Sequence, residues 1–321
     1  MKRMKSDAVK KISLLSTVVI LAISASVGSA DAATVLSSGD ETSPRTEDEG
    51  LSADDGAQRY KVGVCDWMIL KRQKIGEFQL ARDLGCDGIE MDMGGLGRRD
   101  SFDNKMRDPE MVRIFRRTAD SLNIEIGAIA MSGFYGQSFA DKSSYLWLAE
   151  DCLDTMDKLG VRVAFLPLGG CGNAWPDSLP LRRKVVGRLR EIGAMARERG
   201  KVIGIDTPLD AAGNRQLLSE IGDDGIRIFY KLQTAIEHGR DICADLRALG
   251  AGNICAIHAT NTDGLLLRDD PAIDMTAVRC TLDAMEWSGW LFVERSRDAA
   301  DVRNVMRNYG ENVRYLKEIF Q

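Results

Sequence analysis

Asp206, His258 and Glu294 each stand at the end of a short apolar run: Val202-Ile203-Gly204-Ile205-Asp206, Ile254-Cys255-Ala256-Ile257-His258 and Trp290-Leu291-Phe292-Val293-Glu294. Two more runs end alike, Val62-Gly63-Val64-Cys65-Asp66 and Gly88-Ile89-Glu90. Runs this short, rich in Val and Ile, read as buried parallel strands. Polar groups at their C-terminal ends collect at one rim of a sheet, where α/β proteins keep their chemistry. Two carboxylates and an imidazole meeting there make a donor set for Mg²⁺ or Mn²⁺. The carboxylates also suit proton transfer on either side of a sugar carbon. One strand-end acid alone is equally well explained by a helix cap or an arginine partner. The recurrence predicts a ring of ligands and bases around one pocket, with Asp206 and Glu294 catalytic and Glu90 among the substrate contacts.

The chain has two histidines. His258 ends a strand-like run and precedes the polar loop Thr260-Asn261-Thr262-Asp263-Gly264, which places it in the pocket. His238 falls at an expected helix start, away from it. Arg295 and Arg297 follow Glu294 and can hold a phosphate or sugar hydroxyls, or pair with acids such as Asp298 and Asp301. Trp67 follows the first run, and Phe134 and Tyr135 the third. Aromatic rings there can stack on a sugar face, and Trp67 is counted with the substrate contacts. The loops Gly94-Gly95-Leu96-Gly97 and Gly169-Gly170-Cys171-Gly172 match no P-loop.

Such a ring needs regularly placed strands. They are expected at 60–65, 88–92, 124–130, 161–167, 201–206, 226–230, 254–258 and 290–294. Helical patterns fall between, at 73–84, 109–122, 145–159, 181–200, 211–221, 238–249, 274–285 and 301–319, with glycines such as Gly85, Gly160, Gly200 and Gly250 at the junctions. Eight βα units close a (β/α)₈ TIM barrel, an α/β fold of one domain. A doubly wound open sheet is the competing arrangement, but no GxGxxG follows the first strand.

The 321 residues, 44% of them hydrophobic, suffice for one large core. A net charge of −5 and a pI near 5.3 argue against a nucleic-acid partner. The cysteines at 65, 86, 152, 171, 243, 255 and 280 have no paired spacing and read as small core residues, with one incidental bridge left open. Lys2, Arg3, Lys5, Lys10 and Lys11 precede an apolar stretch, Ile12 to Val27, and small residues ending in Gly28-Ser29-Ala30 or Ala30-Asp31-Ala32. This is a secretory signal pattern, short for a membrane span of about 20 residues. The expected organisation is a signal peptide at 1–30, a disordered acidic linker at 31–59 and the barrel at 60–321. The expected destination is the periplasm or the cell exterior, with an uncleaved membrane anchor as the alternative.

The stretches Gly63-Val64-Cys65-Asp66-Trp67, Ala130-Met131-Ser132-Gly133, Gly204-Ile205-Asp206-Thr207, Ile257-His258-Ala259-Thr260-Asn261-Thr262-Asp263-Gly264 and Val293-Glu294-Arg295-Ser296-Arg297 together resemble the sugar phosphate isomerase/epimerase family. This is the xylose isomerase-like TIM barrel superfamily, also called AP endonuclease family 2. The resemblance covers about residues 60–321 and is most specific around His258 and Glu294. It implies a divalent metal held at the ends of strands five to eight, by positions that match Asp206, Lys231, His258 and Glu294 here. Asp206 is one methylene shorter than the usual Glu. Lys231 is a sharper departure, because an ammonium has no lone pair and cannot ligate a cation. Gln233 is a substitute donor if the strand carries no bulge. Two outcomes are open: Mn²⁺ or Mg²⁺ on Asp206, His258 and Glu294, or the Lys231 ammonium in the cation position, paired to Asp206 and Glu294, with no metal. The endonuclease branch needs a histidine-rich zinc cluster that two histidines cannot build.

The resemblance implies an isomerase or epimerase that abstracts a proton beside a carbonyl, giving an enediolate, with Asp206, Glu294 and Lys231 carrying the chemistry. Export points to a small-molecule carbohydrate without phosphate. A keto-glycoside lyase and a catalytically inactive sugar-binding barrel are the alternatives.

Overall fold

The computed structural model describes residues 58–321; the expected signal peptide and nearly all of the acidic linker lie outside the described residues. Eight strands form a closed parallel barrel: β1 (Tyr60–Cys65), β2 (Gly88–Asp92), β3 (Glu125–Ala130), β4 (Val163–Pro167), β5 (Val202–Asp206), β6 (Ile226–Lys231), β7 (Ile254–His258) and β8 (Gly289–Val293). Each pairs with the next, and β8 returns to β1. The expected (β/α)₈ architecture holds.

Because side chains alternate along a strand, every strand serves two cores. Val64, Ile89, Ile205, Ile257 and Leu291 pack with helix residues such as Phe78, Leu153, Leu189 and Leu316. Cys65, Ala128, Ala130, Phe165, Phe229, Ala256 and Phe292 fill the lumen. Two register shifts adjust which side chains face inward. On the β6–β7 pair, Ile228 lies opposite Ile254 but Phe229 lies opposite Ala256, so Cys255 is the extra residue. That bulge turns the rest of β7 by one position and sets His258 beside Lys231 on the inner face.

The bottom of the lumen is closed by aromatic rings. Trp290 stacks on Phe292 with centroids 5.1 Å apart, and the Lys61 ammonium lies over Trp290 while pairing with Glu125 at 2.6 Å. Gly88 makes room for this plug. A Cβ there would stand 2.4 Å from the Glu125 carbonyl oxygen and 2.5 Å from the Trp290 ring.

The helices are α1 (Gly76–Asp83), α2 (Pro109–Leu122), α3 (Tyr145–Leu159), α4 (Leu179–Glu198), α5 (Ala211–Ile221), α6 (Leu232–Glu237), α7 (Ile242–Leu249), α8 (Met275–Ala284) and α9 (Val305–Phe320). Asp108, Asp210, Asp241 and Asp274 cap α2, α5, α7 and α8 through their side chains. The helix expected at 238–249 is in fact two. Gly239, at φ +64°, ends α6, and a new N-cap at Asp241 starts α7. His238 therefore closes a helix instead of opening one; it is exposed, with Nδ1 2.8 Å from the Thr234 carbonyl oxygen, and it lines the cavity shared by Asp206 and Lys231, which corrects its expected place away from the pocket. All seven cysteines are free, and Cys280 is exposed, which corrects its reading as a core residue. No helix among the described residues is long and apolar enough to cross a membrane.

Replacing Gly88 by Ala forces the added methyl into backbone and the Trp290 ring. Overpacking of this kind costs about 1–3 kcal/mol, and urea unfolding of Gly88→Ala is expected to show a lower midpoint with an unchanged slope.

Candidate active site

Glu294 is the first residue past β8, and the in-out alternation that turns Trp290 and Phe292 toward the lumen carries it into the mouth. It is 1% exposed. Its neighbours come from three other segments. Lys231, the last residue of β6, places its ammonium 2.9 Å from Oε2. Tyr135, in the short 3₁₀ turn after β3, donates its hydroxyl proton to Oε1 at 2.6 Å. Thr260, past β7, donates to Oε2 at 3.2 Å. From behind, α9 fixes the segment: Tyr309 donates to the Glu294 carbonyl oxygen at 3.2 Å and Asn312 to that of Ser296 at 2.7 Å. Burial alone would raise the Glu294 carboxyl. His258, Lys231 and Tyr135 outweigh it and hold the group at about 2.

His258 is fully buried between Phe229 and Phe165, with ring centroids 4.3 and 4.5 Å away. Its Nε2 donates to Glu90 Oε2 at 2.7 Å, and the Cys65 thiol donates to the same oxygen at 3.1 Å. Nδ1 is left facing Glu294 Oε2 at 3.9 Å without a hydrogen bond. Burial opposes charge on the ring, but Glu90 and Glu294 prevail and hold its pKa above the ordinary imidazole value. The same contest, won by Glu294 and Asp206, holds Lys231 charged.

Asp206, at the end of β5, is half-buried and lines a cavity of about 290 Å³ together with Lys231, Asn173, Thr207 and Gln233. Loss of water pushes its carboxyl up to about 6, against the pull of the Lys231 ammonium. Among the described residues no cation lies within 4.0 Å of it, so the expected Lys231 pairing is made with Glu294 and not with Asp206.

Not every expected residue joins this group. Asp66 leaves the ring. Its Oδ2 accepts the backbone N–H of Gln73, and its charged neighbours are Asp92 and Glu77. Glu90 stands behind His258, fully buried, and not at the cavity. Trp67 packs half-buried against the lumen cluster with its Nε1 unpartnered. Arg295 and Arg297 both turn to Asp263 on the rim, at 2.6 and 3.8 Å. Gln233 lies in the first turn of α6 and donates to Glu237 at 2.6 Å, so it offers no replacement donor. Tyr135 was readable only as an aromatic in a loop. That its hydroxyl reaches Glu294 depends on a turn whose direction the local sequence does not encode.

A closed parallel barrel with carboxylates, an imidazole and an ammonium at the C-terminal strand ends is a TIM barrel of the enzyme type. The chain belongs to the xylose isomerase-like TIM barrel family, which residues 78–319 match. It is 27% identical over 202 residues, 60% of this chain and 71% of the relative, to 2-epi-5-epi-valiolone 7-phosphate 2-epimerase of Actinoplanes sp.. Among solved structures it resembles 3-keto-D-glucoside 4-epimerase from E. coli, with TM-score 0.64 and 15% identity over 81% of this chain and 99% of the other. It also resembles D-psicose 3-epimerase crystallised with D-fructose, with TM-score 0.64 and 11% identity over 81% and 99%.

The resemblance implied a divalent ion on Asp206, His258 and Glu294. The donors present do not fit one there. An ammonium already occupies the contact to Glu294, and His258 offers a single nitrogen beside it. Among the described residues one group of three donors lies within 4.8 Å of one another, namely Cys65, Glu90 and His258. Those atoms are hydrogen-bonded together, and burial keeps the Cys65 thiol protonated.

Behind the mouth, Asp66, Glu77 and Asp92 are buried side by side, with Arg72 3.2 Å from Asp92. No N–H or hydroxyl reaches Asp66 Oδ1 or either Glu77 oxygen. Burial and the Asp92 charge push Asp66 up to about 8, and burial with Asp66 pushes Glu77 well above the ordinary carboxylate range. A raised carboxyl pKa means that folding takes up a proton. Its stabilising effect is complete below the ordinary carboxylate range and is lost as pH rises through 8. Asp66→Asn is therefore expected to lose less stability than the wild type between pH 5 and pH 9 in urea unfolding.

Proposed function

We propose that this protein is an exported sugar epimerase or isomerase that moves a proton beside the carbonyl of an unphosphorylated sugar or keto-sugar. One observation carries the reading: Asp206 lines a cavity of about 290 Å³ at the barrel mouth, with the Glu294 carboxylate and the Tyr135 hydroxyl in contact with the Lys231 that shares that cavity. The family and the epimerase names of its relatives support the same chemistry. With a pKa near 6, Asp206 is ionised at neutral pH yet basic enough to take a proton. It removes the hydrogen from the carbon next to the carbonyl, and the electron pair passes into a carbon–carbon double bond and onto oxygen. Glu294 and the Tyr135 hydroxyl it holds serve the opposite face: the hydroxyl gives the proton that returns with inverted configuration or on the neighbouring carbon, and regains one from water as Asp206 releases its own. Trp67 packs beside the lumen and offers a face to the sugar ring.

Engagement of Arg295 and Arg297 by Asp263 supports a substrate without phosphate. The basic, apolar and small-residue order of residues 2–32 supports export to the periplasm.

Incubation of the purified protein with ketohexoses and keto-glycosides in D₂O is expected to replace one substrate hydrogen by deuterium, read by NMR, and in ordinary water to give products of equal mass. Asp206→Asn is expected to slow that exchange by about 10²–10⁴-fold. The wild-type rate is expected to fall below pH 6, as Asp206 takes up the proton that disables it as a base. Turnover restricted to phosphorylated sugars would remove the substrate assignment.

A further inference from the structure

The Lys231 ammonium is the cation of this site. Its side chain is 15% exposed, and Nζ lies 2.9 Å from Glu294 Oε2, 3.4 Å from the Tyr135 hydroxyl and 5.3 Å from the centre of the Tyr135 ring. Register fixes it: Lys231 is paired with His258 across β6 and β7, one residue before α6 begins. An ammonium has three protons to donate. Glu294 takes one at full strength and Tyr135 lies at the limit of a second. The remaining donor capacity is available to the cavity, which Lys231 lines together with Asp206.

We propose that the Lys231 ammonium takes the part of a Lewis-acid metal, donating to the substrate carbonyl oxygen and holding the charge of the enediolate, so that this barrel works on sugars without a divalent ion. The inference rests on the sugar epimerase reading for its substrate. As the C–H bond breaks, its proton goes to Asp206. The bonding pair becomes the carbon–carbon double bond, the carbonyl π pair becomes a lone pair on oxygen, and that oxygen receives the remaining donor of Lys231. Reprotonation reverses each shift, so no oxidant or reductant is consumed. A positive charge fixed in advance stabilises an oxyanion without reorganising when the charge appears. A divalent ion at the same place would face both the charge of Lys231 and the loss of the Glu294 oxygen that the ammonium holds. A Schiff base on Lys231 needs the neutral amine, which the contact with Glu294 disfavours.

The test uses the full chain after export and purification. Metal analysis is expected to find far less than one equivalent of Mn²⁺, Mg²⁺ or Zn²⁺, and EDTA to leave deuterium exchange into the sugar unchanged. Lys231→Met is expected to slow exchange at least 100-fold. Lys231→Asp, which places a carboxylate where the ammonium stood, is expected to gain one equivalent of Mn²⁺ by calorimetry where the wild type takes none. Lys231→Met/Glu294→Gln removes both charges together and reports folding without an orphaned carboxylate. One tightly held equivalent of metal in the wild type, with exchange abolished by EDTA, overturns the proposal. So does a borohydride-trapped sugar adduct on Lys231. If no sugar exchanges a proton with the wild type, the epimerase reading fails. The metal content of the wild type and the Mn²⁺ titration of Lys231→Asp still decide the cation question.

Discussion

Lys231 and Glu294 bring opposite charges together at the mouth of a lumen otherwise filled by Phe165, Phe229 and Phe292. Taking both ions out of water costs several kcal/mol each, which only close contact and full hydrogen bonding offset. The rest of the site can be read as the means of meeting that condition. Tyr135 and Thr260 occupy the Glu294 oxygens, His258 adds charge from below, and Tyr309 and Asn312 of α9 fix the backbone that presents the carboxylate. Removing either partner of such a pair leaves a buried charge unmatched, at about 3–5 kcal/mol. The pair therefore ties the chemistry of the mouth to the stability of the barrel.

Two sets of buried acids, far apart in sequence, behave oppositely. Glu294 is surrounded by cations and donors and stays ionised. Asp66 and Glu77 face another acid, Asp92, and hold protons. Asp206 lies between these extremes because it is partly wet and feels Lys231 only at a distance. Environment, not residue type, sets how readily each of these carboxyls holds a proton.

The barrel was legible in the sequence because buried parallel strands are apolar runs, and each observed strand lies within two residues of its expected place. Asp206, His258 and Glu294 were legible as groups of one rim because polar residues end several such runs in turn, although any one of them alone has other uses. Asp66 misled because the alternation that puts Cys65 in the lumen turns the next side chain outward. Glu90 was seen as a strand-end acid, but its partner, His258, comes from the far side of the barrel and has no local signature. The division of the 238–249 helix turned on Gly239 and Asp241, a stop and a start adjacent enough to pass for one helix. The inward aim of His258 itself rests on the extra residue in β7, which strand periodicity alone does not reveal.

The stacked Trp290 and Phe292, with Lys61 and Glu125 beneath them, make the barrel a vessel with one opening. Whatever enters must leave by the same door, and a hydrogen ion lifted from the guest has no rear exit. While the guest fills that door, the ion is shielded from the bulk reservoir and trades places with solvent only after the door opens. Exchange with the surrounding water then falls between one guest and the next, a timing set by the architecture of the floor and not by any group at the rim.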